Sequence, residues 1–77
     1  MHELAIVHGI VEAVTEKSGD TRILRIVLEI GRLTAVLPEA LRFCFDVVAV
    51  GTTAEGATLD IRETDGTELR IREMEVA

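Results

Sequence analysis

Seventy-seven residues hold one domain and leave no room for a second. Apolar residues make up 48% of the chain, yet Phe43 and Phe45 are its only aromatics, so the core has to be built from Leu, Ile and Val. Fourteen acidic residues against eight basic ones give a formal net charge of −6, and the basic residues are spread out and mostly alternate with acids, unlike the clustered Lys and Arg that hold a phosphate backbone; no nucleic-acid partner is expected.

In chain order, Leu4, Val7, Ile10, Val11 and Val14 recur at spacings of three and four and predict an amphipathic helix from Leu4 to about Lys17. Gly19 in Ser18-Gly19-Asp20 is its expected stop. From Thr21 to Ile30 the period changes to two: Leu24, Ile26, Leu28 and Ile30 share one face, with Arg25 and Glu29 on the other, as in a strand with one face in the core. Ile23 and Val27 suggest partial cover of that second face. Gly31-Arg32 ends the strand. Pro38 suits the first turn of a second helix, whose stripe is Leu41, Cys44 or Phe45, and Val48, closed by Gly51-Thr52.

Ala57, Leu59 and Ile61 then alternate with polar residues as a second strand, and Asp65-Gly66 carries a strong hairpin signal. The third strand, Glu68 to about Val76, starts with Leu69 and Ile71 inward, but Met74 and Val76 are out of phase, which a bulge near Arg72-Glu73 would reconcile. The expected fold is α+β in the order α-β-α-β-β: a three-stranded sheet, two amphipathic helices on one face, and the last two strands an antiparallel hairpin. The longest apolar run is far below the ~20 residues of a membrane span, and no basic segment followed by a long apolar one opens the chain. No membrane association is expected, and the expected location is cytoplasmic.

One constellation has distinctive coordination chemistry. The α-amine of Met1, the His2 amide nitrogen and the His2 imidazole can close adjacent chelate rings around one ion, with the Glu3 amide able to complete or replace a donor. Ni(II) and Cu(II) favour such a tetragonal nitrogen field; Zn(II), without that geometric preference, gains nothing from it. His8 lies six residues beyond His2, which at ~100° per residue turns it about 240° away, and it is read as solvent-facing. Cys44 sits in an apolar run as a small hydrophobe. Glu12, Glu16, Glu29 and Asp46 are read as solvated surface, and no nucleophile–base pair, phosphate loop or cofactor fingerprint points to an enzyme.

The opening Met1-His2-Glu3-Leu4-Ala5-Ile6-Val7 with Ile10-Val11-Glu12-Ala13-Val14, the strand Val27-Leu28-Glu29-Ile30-Gly31-Arg32-Leu33, the helix Pro38 to Asp46, the segment Gly51 to Ile61 and the closing Glu68 to Val76 together resemble, in order, the HypA/HybF nickel metallochaperone family. The resemblance implies a nickel-binding domain over residues 1–77, with Met1, His2 and Glu3 as the metal site: His2 the essential ligand, the N-terminal amine or neighbouring amides completing it. It also implies delivery of Ni(II) to the [NiFe]-hydrogenase large subunit, or urease maturation in some organisms, alongside a HypB-type GTPase. The family's zinc domain, with its two CxxC pairs, is missing here between about residues 63 and 67, where Glu63-Thr64-Asp65-Gly66-Thr67 stands; no zinc is expected in this chain. The alternative is an interaction module that docks the GTPase or hydrogenase without useful metal binding. A monomer is expected, because Asp65-Gly66 makes an unstrained turn; a strand-swapped dimer is the alternative.

Overall fold

A computed structural model describes residues 2–77, which form α1 (Glu3–Ser18), β1 (Ile23–Gly31), a 3-10 turn (Arg32–Thr34), α2 (Pro38–Val48), β2 (Thr58–Thr64) and β3 (Leu69–Val76). The apolar stripe of α1 buries Val7, Ile10, Val11 and Val14, while Leu4, in the first turn at the helix tip, stays half exposed. Gly19 ends the helix with φ at +60°, and its N–H donates to the Thr15 carbonyl at 3.0 Å. Pro38 opens α2 behind Leu37, and Leu41 and Phe45 carry its buried face, with Cys44 and Val48 packed at the margin.

Both helices lie on one face of the sheet, against Ile26, Leu28 and Ile30 of β1 and Leu59 of β2. The expected inward phase of β1 holds from Ile26 onward. At its start the phase is reversed: Ile23 is buried and Leu24 is exposed, because the register against β3 advances two residues from Ile23 to Arg25 while β3 advances one. Leu24 is the extra residue of a bulge, and the bulge flips its face. Val27, on the face away from the helices, is nevertheless buried; its cross-strand neighbours are Asp60 and Glu73, both held by Arg25.

The hairpin is corrected. Sheet order is β2-β1-β3, with β1 parallel to β2 and antiparallel to β3. The last two strands do run antiparallel, but β1 lies between them. The reason is that β1 alone carries apolar residues on both faces, so it takes the centre; the crossover through α2 returns β2 parallel on one side, and β3 takes the remaining edge. The short β2–β3 connection therefore crosses the end of β1. There the Gly31 N–H donates to Glu68 O at 2.7 Å and the Leu33 N–H to Gly66 O at 3.0 Å. The predicted bulge on β3 is present: pairing jumps from Glu73 opposite Val27 to Ile71 opposite Leu28, leaving Arg72 over.

Gly31 has ordinary extended φ and ψ of −77° and 140°, so its need for glycine comes from the crossing chain. A Cβ there would overlap the Gly66 carbonyl and lie 2.7 Å from Thr67 N. Gly9, inside α1, has nothing within 4 Å of the corresponding point. Gly31→Ala is expected to lower unfolding free energy by about 1–3 kcal/mol, and Gly9→Ala to raise it by about 0.5–1 kcal/mol; urea unfolding of the two variants beside the parent checks both signs.

Candidate metal centre

The candidate ligands sit where α1 begins. His2 is the N-cap residue, with φ −114° and ψ 49°; its carbonyl accepts the Ile6 N–H at 3.0 Å, but its side chain makes no capping bond and is exposed. The backbone of His2 is thus committed to the helix on its acceptor side only. Helix geometry leaves the first N–H groups without an intrahelical acceptor, so deprotonating the amide of His2 or Glu3 would break no helical hydrogen bond. Met1, the third expected contributor, lies outside the described residues.

The Glu3 carboxylate has a job of its own. It accepts the Leu37 N–H at 3.2 Å, joining the first turn of α1 to the residue that caps α2. This bond, together with the amide of Glu3 itself, holds the Glu3 carboxyl below its ordinary range. The helices run in the same direction, each antiparallel to β1, so their N-termini share one end of the molecule, where their dipoles favour an anion. The carboxylate is therefore better placed to fix the tip than to bind a metal, and the amide nitrogen is the donor that Glu3 has to offer.

His8 is exposed on α1, and Cys44 is half buried against the core. Among the described residues, no group of three or more His, Cys, Asp and Glu side chains is arranged to hold a metal ion. Glu12, Glu16 and Asp46 are exposed, but Glu29 is paired with Arg70 at 2.6 Å and Arg72 at 3.7 Å. On the same outer sheet face Asp60 binds Arg25, and Arg62 at 3.0 Å; the Arg62 bond first, then that of Arg25, lowers its carboxyl pKa. The alternating charges of the three strands hinted at this face, but only the register shows which charges meet.

The chain matches, over residues 1–69, the family described as hydrogenase/urease nickel incorporation, metallochaperone, hypA. It is 50% identical over 66 residues to hydrogenase maturation factor HypA of Nostoc punctiforme, covering 86% of this chain and 58% of that protein. It is 47% identical to the factor of the same name from Geobacter sulfurreducens, covering 86% and 60%. The chain thus spans a little under two thirds of the length of these curated relatives. Its fold is similar to the solution structure of the Ni metallochaperone HypA from Helicobacter pylori, with a TM-score of 0.68 at 21% identity over 95% of this chain and 72% of that one.

The Glu3–Leu37 bond makes the tip sensitive to acid. A carboxyl whose pKa is depressed on folding contributes stability above its ordinary value of 4.5 and loses that contribution as pH falls through the lower folded value. Amide exchange at Leu37 is therefore expected to rise, relative to the rest of α2, between about pH 5 and 3, and this acid-dependent part is expected to vanish in Glu3→Gln. Equal acid profiles in the two proteins, read by NMR exchange, would remove Glu3 as the cause.

Proposed function

Because the chain belongs to the HypA family of hydrogenase and urease nickel-incorporation metallochaperones, we propose that it captures one Ni(II) ion at its N-terminal tip and takes part in delivering that ion to the [NiFe]-hydrogenase large subunit. The observation that carries this reading is the state of His2 at the end of α1: an exposed imidazole with no capping bond, on a residue within the family match. Adjacent amides there are free of helical acceptors. The Met1 amine, the His2 amide, the His2 imidazole and the Glu3 amide supply a nitrogen set that suits Ni(II).

In this reading the ion is cargo, and the protein's own groups capture and release it. The donors all belong to the first three residues of the sequence, and the His2 side chain is exposed, so a recipient can approach it without unfolding the domain. The fold contributes a fixed base, since α1 is held by its buried stripe and by Glu3 on Leu37. A HypB-type GTPase is the expected companion in delivery. The chain's single cysteine, Cys44, provides no CxxC pair, and the reading assigns this chain no zinc.

Titration of untagged protein with Ni(II), followed by absorption, is expected to give one equivalent and a d–d band of a planar nitrogen complex. His2→Ala is expected to weaken binding about 100-fold or more, because an intramolecular donor is lost, and so is one additional residue before Met1, which moves the amine out of the chelate. Nickel binding that survives both changes would contradict the N-terminal site.

A further inference from the structure

The two edges of the sheet are protected unequally. On β2, the Leu59 carbonyl accepts a hydrogen bond from the Arg42 guanidinium of α2. Among the described residues β3 pairs only with β1, so its other row of N–H and C=O groups is open to another strand. Charged side chains ordinarily discourage such pairing.

Here the charges discriminate in favour of one partner. The strand Leu69-Arg70-Ile71-Arg72-Glu73-Met74-Glu75-Val76 runs apolar, basic, apolar, basic, then acidic, apolar, acidic, apolar. Laid antiparallel on a copy of itself, with a two-fold axis between Arg72 and Glu73, it sets Leu69 opposite Val76, Arg70 opposite Glu75, Ile71 opposite Met74 and Arg72 opposite Glu73. Residues directly opposite in an antiparallel pair share a face. The bulge at Arg72 is what makes the faces agree: Ile71 and Met74, three positions apart, both pack against the core, where strict alternation would have put them on opposite sides.

The space beside this edge matches. Two adjoining cavities of about 340 and 260 Å³ lie between α1 and β3 and meet at Ile71. No β3 residue is fully buried, and Leu69 and Val76 are 42% and 43% exposed. A helix about 10 Å across spans about two strand spacings, so α1 has width to roof a neighbouring strand as well as its own.

We propose that a second copy of this chain occupies the β3 edge, pairing β3 antiparallel with β3 and joining two three-stranded sheets into one of six strands. The proposal departs from the monomer expected from the sequence; edge pairing exchanges no segment between chains, and it is therefore distinct from the strand-swapped dimer that the turn chemistry disfavours. Because α1 runs in the direction of β3, the two-fold axis places the two N-terminal tips at opposite ends of the dimer. The proposal stands independently of what those tips bind.

Sedimentation equilibrium across a concentration series tests it. The parent protein is expected to reach twice the chain mass. Arg72→Glu places glutamates opposite each other in both symmetry-related pairs, and is expected to raise the dissociation constant about tenfold or more. Glu73→Arg, which leaves Arg72 beside Glu29, is expected to do the same. The double variant Arg72→Glu/Glu73→Arg restores opposite charges with the signs exchanged, and is expected to return the constant to within about threefold of the parent. A parent that stays monomeric up to about 1 mM, a concentration high enough to populate even millimolar association, would overturn the proposal. So would a dimer indifferent to the single changes, as a swapped one would be, or a double variant that fails to recover.

Discussion

Burial of β1 on both faces is the constraint from which the rest of the molecule follows. Ile26, Leu28 and Ile30 face the helices, and Val27 is sealed on the other side between strands that bring Asp60 and Glu73 beside it. Val27 is buried on the outer face, where Arg25 and Glu29 stay partly exposed, and its cover comes from the flanking strands, so β1 needs neighbours on both edges. That requirement places β2 and β3 on either side of it, directs the β2–β3 connection over its end, and makes Gly31 the one position where the crossing backbone leaves no room for a Cβ.

The same arrangement positions the candidate metal site. α1 and α2 both return antiparallel to β1, which brings their N-termini to one end, and the Glu3 carboxylate joins them through Leu37. A flexible terminal chelate would need no fold at all. What this fold adds is a definite start to α1, with His2 held by its carbonyl to Ile6 while its imidazole remains uncommitted. Within Glu3 the carboxylate serves the fold, accepting the Leu37 N–H and interacting with its own amide; in the proposed site that amide would turn to the ion instead.

Much of this was legible in the chain because it is local. The α1 stripe, Gly19 as its stop, Pro38 at the start of α2 and the bulge near Arg72 each follow from periodicity or from the φ preference of one residue. What was not legible depends on residues far apart. The Asp65-Gly66 signal describes a tight turn but not which strands flank it, and a turn that steps over β1 uses the same residues as a hairpin. The reversed phase of Ile23 and Leu24 is set by the register of β3, and the Glu3–Leu37 bond spans 34 positions. His2 was a candidate mainly through the whole-chain resemblance, since three residues with suitable donors are too common to identify a site.

In the proposed site, nickel is held by nitrogen donors at the start of α1, on a base fixed by Glu3 and Leu37. The most direct measurement is the ¹H–¹⁵N spectrum of the uniformly labelled, untagged protein during addition of Ni(II). A planar, diamagnetic complex predicts sharp spectra, loss of the His2 and Glu3 amide cross-peaks as those nitrogens deprotonate, and shifts confined to the first turn of α1 and the neighbourhood of Leu37. Paramagnetic broadening centred on His8 or Cys44, with the His2 and Glu3 amides intact, would contradict it.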